Sequence, residues 1–306
     1  MAQPPGADAA AADASTLDSS DEWFARMPNA VVVGATTIAW SEQEALCGLE
    51  TGPGCHGPGP MITVADAQGQ VTQLVTGMYG ATSLVGDDTG WFYTDLQTGA
   101  VTRVVEGGSP MMLTGAQINY PVGPVLDPSY VYWFQPGANG VGRGLMRASR
   151  TGDGSDAALV AQPNSFQDSL YAFAGDLWWY VCSTSCNVYR ASSPNPVRSG
   201  AMIVGADATA LYLVEPGATW NLLSMTSNGT TTTLLANQPQ STIPRHVIAD
   251  GGELFWASGG RVYRAVANGT PTHVVDTDAV SDNLIAVTPT QILYDFAPRG
   301  YAAVAR

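Results

Sequence analysis

Arg245-His-Val-Ile-Ala249, Glu253-Leu-Phe-Trp256, Arg261-Val-Tyr-Arg264-Ala265 and Thr272-His-Val-Val275 are four short runs rich in β-branched and aromatic residues. Such runs read as strands, and the intervening Asp250-Gly-Gly, Ser258-Gly-Gly and Ala267-Asn-Gly-Thr270 read as tight turns. Asn-Gly supplies two successive residues that tolerate positive φ, which a two-residue hairpin requires. Residues 245–275 therefore read as a four-stranded antiparallel meander.

The unit recurs in both directions along the chain. Its second strand is matched by Thr37-Ile-Ala-Trp40, Gly90-Trp-Phe-Tyr93, Tyr130-Val-Tyr-Trp133, Leu177-Trp-Trp179, Ala210-Leu-Tyr-Leu213 and Gln291-Ile-Leu-Tyr294. By subtraction, successive anchors lie 53, 40, 46, 34, 43 and 38 residues apart. Several short strands repeated at such a period predict an all-β fold, a seven-bladed β-propeller, with six blades as the alternative if one copy is misread. The first strand of each copy is nearly all apolar, as in Ala30-Val-Val-Val33 and Ala201-Met-Ile-Val204, which predicts burial on both faces. The seventh copy stops after its third strand, Gly300-Tyr-Ala-Ala-Val-Ala-Arg306. Glu22-Trp-Phe-Ala-Arg-Met27 supplies an unassigned strand that would complete this last blade and remove its open edge. Residues 22–306 thus read as one domain, and residues 1–21, mostly Ala, Asp, Ser and Pro without apolar periodicity, read as a disordered leader or linker.

Among the 306 residues, charged side chains make up only 12%, and the net charge is −14. All twelve basic residues are arginine. So acidic a chain repels phosphate backbones and anionic membrane surfaces, which argues against nucleic-acid partners. With no run of 18 apolar residues, no membrane span is expected. Four cysteines permit three pairings, and locality favours Cys47 with Cys55 and Cys182 with Cys186. The second pair flanks a three-residue turn between two strands; the first brackets a Gly/Pro loop inserted into the first repeat. Two disulfides imply an oxidising compartment, so a secreted, periplasmic or cell-surface location is expected.

Trp91-Phe-Tyr93-Thr94-Asp95 followed by Thr98-Gly99-Ala-Val-Thr-Arg103 resembles the YWTD repeat of low-density-lipoprotein-receptor-type propellers. The other copies keep the aromatics and lose the Thr-Asp, as in Tyr132-Trp133-Phe134 and Phe255-Trp256-Ala257. That looser pattern is similar to NHL-like and TolB-like propellers of bacterial exported proteins. The resemblance implies the fold; YWTD-type propellers are six-bladed protein-binding modules.

Eleven residues before each anchor, the chain enters the innermost strand, at Asn29, Thr82, Val122, Asp168, Met202, Arg245 and Asn283. In a propeller these entries ring one mouth of the central channel. Asn29, Asp168, Arg245, His246, Asp282 and Asn283 are therefore the candidate ligand-binding set, able to orient a small polar ligand. Asp87, Asp127, Asp207 and Asp250 recur six residues before the anchor, in turns where Asp bonds its own backbone. One carboxylate per blade does not assemble the six to eight oxygens calcium takes, so no cofactor or metal is expected. Thr151-Gly-Asp153-Gly-Ser155-Asp156 is the densest acidic loop and the one faint calcium candidate. Arg103, Arg147, Arg190 and Arg264 repeat in third strands and read as stems covering neighbouring surface. Asn228-Gly-Thr230 and Asn268-Gly-Thr270 match a glycosylation sequon but read as hairpin turns.

No Gly-x-Ser-x-Gly elbow is present, and His56, His246 and His273 are the only histidines. The expected function is a monomeric binding module presenting one face to a protein or glycan, with aromatic and small polar residues on its surface. The alternative is a lyase or lactonase-like hydrolase at the channel mouth.

Overall fold

The computed structural model describes residues 28–33, 37–42, 62–66, 71–75, 81–87, 90–95, 99–114, 121–135, 144–162, 169–276, 284–287, 291–296 and 300–306. Among these residues the strands form seven antiparallel sheets, within residues 28–75, 81–112, 122–161, 170–199, 202–239, 247–276 and 284–305. The first six have four strands and the seventh has three. Within every sheet the strands pair in chain order, as tight antiparallel turns dictate. The segment expected to complete the seventh sheet, residues 22–27, lies outside the described residues, as does the leader.

The aromatic anchors identified from sequence occupy one ladder position throughout. Each lies three residues beyond the residue that pairs across the first turn, as Trp256 does beyond Glu253 and Trp179 beyond Asp176. They face residues of the first strand: Trp40 faces Val31, Tyr93 faces Leu84, Trp179 faces Leu170 and Tyr294 faces Leu284. The first strands also touch one another in series, each against that of the next sheet, and the seventh against the first.

Burial follows from this stacking. Among the described residues the buried apolar side chains gather into six clusters, each lying between two consecutive sheets. Trp220 of the fifth sheet meets Trp256 of the sixth edge to face, with ring centroids 6.0 Å apart. Removing such a ring from water takes away roughly 150–250 Å²; at about 25 cal/mol per Å² that contributes up to roughly 4–6 kcal/mol per tryptophan. The indole N–H groups are not left bare: Trp220 donates to the Pro239 carbonyl at 2.8 Å and Trp256 to the Thr242 carbonyl at 3.0 Å.

Two sequence expectations need correction. Burial peaks on the second strands, such as Tyr130–Gln135, Leu211–Glu215 and Glu253–Ser258, and not on the first. A second strand has a neighbour on each side in its own sheet and a sheet above and below. A first strand has an open side, and Met202, Ile248 and Ala249 are only half-buried. The surface is also not aromatic: no described tryptophan, tyrosine or phenylalanine of known burial is exposed, and the exposed large apolar residues are Met112, Leu159, Val160, Val197 and Val266. The aromatics are spent in the inter-sheet core. Cys182 and Cys186 are disulfide-bonded opposite one another across the Ser183–Ser185 turn. Cys47, Cys55 and His56 lie outside the described residues.

Candidate functional site

The strands fix two ends of the molecule. First strands enter at one end, and their turns into second strands stand at the other. At the entry end, Asn29 lies in Pro28–Val33 and Met202 opens Met202–Ala206. Arg245 and His246 precede Val247–Asp250, and both are exposed. These residues share an end of the molecule, as the repeat alignment requires. Asp168, Asp282 and Asn283 lie outside the described residues. Each first strand here starts where an outer strand of the preceding sheet has delivered the chain, so this rim is built from every sheet in turn.

The turn end is a network of carboxylates. Asp127 accepts from the backbone N–H groups of Ser129 and Tyr130, both at 2.7 Å, and from the Tyr132 hydroxyl at 2.6 Å. Asp207 repeats the arrangement with Thr209, Ala210 and, at 2.6 Å, the Tyr212 hydroxyl. Burial works to raise both carboxyl pKa values, but the hydroxyl and amide donors outweigh it and hold both below the ordinary range. Burial and the adjacent carboxylate together push the Tyr132 hydroxyl up to about 12, and raise Tyr212 as well.

Where the residue five positions after the aspartate is phenylalanine, the partner changes. Asp87 precedes Phe92 and Asp250 precedes Phe255, so no ring hydroxyl is available. Asp87 instead pairs with Arg150, which follows the third strand of the next sheet and also donates to the Asp127 carbonyl at 3.1 Å. Asp250 pairs with Arg306 at the same position of the seventh sheet, which donates to the Asp250 carbonyl at 2.9 Å and reaches Glu253 at 3.2 Å. The Arg306 guanidinium lies 5.1 Å from the centre of the Phe255 ring. Each clasp ties one sheet to the next. Arg150, Arg306, Tyr132 and Tyr212 escaped the sequence reading. The signal was present as Asp-x4-Tyr against Asp-x4-Phe, with arginine one residue past the following third strand.

The third-strand arginines pack as stems do. Arg147 stands 4.5 Å from the Tyr130 ring centre and Arg190 5.8 Å from that of Trp178, while Arg264 donates to Glu253 at 2.6 Å. In the acidic loop, Asp153 accepts from the Ser155 N–H at 3.0 Å and Asp156 from the Ser149 N–H at 2.9 Å. These carboxylates close turns. Among the described residues, no three His, Cys, Asp or Glu side chains gather as a metal-binding group. Asn228 accepts from the Thr230 N–H at 3.0 Å, and Asn268 adopts φ 60°, as hairpin turns require.

No protein-family model matches the chain, and no curated protein matches it in sequence. Solved structures do match in shape. The chain is similar to streptogramin B lyase with a TM-score of 0.63 at 12% identity, over 92% of this chain and 94% of that one. It is similar to the β-propeller domain of the trilobed protease from Pyrococcus furiosus, with a TM-score of 0.64 at 8% identity over 91% and 92% of the two chains. It also matches the acylaminoacyl peptidase of Pyrococcus horikoshii, with a TM-score of 0.62 at 8% identity, over 93% of this chain and 52% of that one. At such identities the likeness is one of fold, and the fold is that of a β-propeller.

Proposed function

We propose that the protein is an exported or cell-surface, seven-bladed propeller that acts as a monomeric binding module, taking a protein or glycan on its entry-end rim. In this reading each of the seven sheets is a blade, and residues 22–27 supply the fourth strand of the last. Asn29, Asp168, Arg245, His246, Asp282 and Asn283 form the rim, with the inserted loop of Cys47, Cys55 and His56 standing beside it. The exposure of Arg245 and His246 carries the reading. Side chains open to water suit a contact surface, whereas a lyase or lactonase-like centre needs Arg245, His246 and Asp168 turned together in an enclosed pocket. The Cys182–Cys186 bond supports an oxidising compartment. The net charge of −14 supports partners other than nucleic acid.

The test is a glycan and peptide array probed with three labelled proteins: the parent, an Arg245→Ala/His246→Ala variant, and a variant with residues 46–58 excised. The parent is expected to retain a ligand that both variants lose, with the melting temperature of the double variant unchanged. Retention of the same ligand by both variants would remove the rim from the function.

A further inference from the structure

Between the turns of the third and fourth sheets lies a cavity of about 140 Å³, several times what one water molecule needs. Asp127, Tyr132, Phe173, Ala174, Gly175 and Asp176 are among the residues lining it. Its place in the repeat tells what belongs there. Between the second and third sheets the same position is filled by Arg150, bridging the Asp87 carboxylate and the Asp127 carbonyl. Between the sixth and seventh it is Arg306, on the Asp250 carboxylate and carbonyl. Register makes Ser193 the counterpart of both arginines: Tyr130 pairs with Ser149 just before Arg150, Gln291 with Ala305 just before Arg306, and Asp176 falls opposite Ser192. Serine is too short to reach across, and its hydroxyl donates to the Asn195 carbonyl at 3.0 Å.

Tyr132 gives Asp127 the donor that arginine gives Asp87 and Asp250, yet the two carboxylates at this cavity retain accepting sites. Asp127 receives its three donors on the two oxygens, and Asp176 accepts from the Leu177 N–H at 2.8 Å and from the Ser192 hydroxyl. An ionised carboxylate has about four lone-pair sites, so both keep accepting capacity. Asp176 is an addition from the second of the two sheets: the corresponding residues of the third and seventh sheets are Tyr130 and Gln291. This gap therefore holds two carboxylates, as the sixth–seventh gap does with Asp250 and Glu253, and lacks the guanidinium that lies on that pair.

We propose that the cavity between the third and fourth sheets is a receptor for a guanidinium group, the side chain of an arginine presented by a partner protein. The planar fork of arginine matches two acceptors at once, which an ammonium does not. Leu126, Pro128, Phe173 and Leu177 at the cavity offer apolar contact to its stem. The cavity stands at the turn end, opposite Arg245 and His246, so it serves independently of any ligand on the rim. The net charge of −14 would steer a basic segment towards the protein.

The test is titration of the whole protein with N-acetyl-arginine amide at low salt, followed by calorimetry and NMR, with N-acetyl-lysine amide beside it. Saturable binding of the arginine probe at one site per chain is expected, with the lysine probe weaker. Asp176→Asn is expected to weaken the arginine probe by about tenfold or more, the loss of one charge-assisted contact. Ser193→Arg is expected to fill the cavity from within, blocking the probe while raising the melting temperature. If one variant fails to fold, the other decides alone. Absence of saturable binding to the parent overturns the proposal, as does binding that survives Asp176→Asn or Ser193→Arg in a folded variant.

Discussion

At the scale of single residues, the protein solves one problem twice. A turn between a first and a second strand is closed by aspartate, whose outer oxygen then needs a second donor. A tyrosine five residues on supplies it from within the sheet at Asp127 and Asp207; an arginine supplies it from the next sheet at Asp87 and Asp250. The tyrosine form has a definite dependence on pH. Asp127 and Asp207 titrate below their ordinary range in the folded protein, so the stability they add is present above about pH 4 and is lost as pH falls through the lowered value. Asp127→Asn should cost roughly 1–3 kcal/mol at pH 7, and the difference should shrink as pH falls through the lowered value and the parent carboxylate takes up its proton. At the alkaline end the sign reverses. The Tyr132 hydroxyl is raised to about 12, so its contribution is intact below about pH 10 and disappears as pH climbs through 12. Urea titrations of the parent and Asp127→Asn in steps from pH 7 downward, and again at pH 11, read all of this. A difference that stays constant down to the acid unfolding of the parent would mean that the carboxylate charge is not what the turn uses.

At the scale of strands and sheets, most of the architecture was legible in the chain because the anchor is a local signal. Trp133, Trp179 and Trp256 occupy the same rung of their ladders, and a period-two pattern with fixed turn residues marks that rung without tertiary information. What was not legible depends on the neighbouring sheet. An apolar first strand and an apolar second strand look alike in sequence, and only stacking leaves Met202 half-exposed while Leu213 is sealed. The arginine clasps escaped for the same reason, since Arg150 lies 63 residues from Asp87. At the rim, the sequence placed Asn29, Met202 and Arg245 at one end of the molecule, but a repeat alignment carries no side-chain direction. Gly205 shows how closely sheets meet: a methyl group there would sit 2.2 Å from the Val247 carbonyl oxygen of the next first strand. Gly205→Ala must therefore push two inner strands apart, at an expected cost of about 1–3 kcal/mol. Thermal unfolding measures it. A melting temperature unchanged by the substitution would show that the fifth and sixth sheets slide freely past one another.

At the scale of the whole molecule, the interfaces run in series and return to their start, because the first strand of the seventh sheet touches that of the first. An open stack of repeats can fray from either end, each unit answering only to its neighbour. A returning series offers no such end, so unfolding one interface should unfold all. Arg306 tests this from the chain terminus. Its side chain holds Asp250 and Glu253 of the sixth sheet and overlies Phe255, while the strand before it, Gly300–Ala305, pairs with Gln291–Phe296. Glu253 titrates below its ordinary range because Arg264 and Arg306 together outweigh the burial that opposes its charge. Arg306→Ala should lower the midpoint of urea unfolding by an amount worth about 1–3 kcal/mol, with the slope unchanged and one transition for tryptophan fluorescence and far-ultraviolet dichroism alike. Deleting residues 300–306 removes the strand as well and should lower stability across every sheet, including the third and fourth, which it does not touch. Hydrogen exchange locates the loss. Exchange that quickens only in residues 284–296 and the sixth sheet would mean that the seven sheets unfold one at a time.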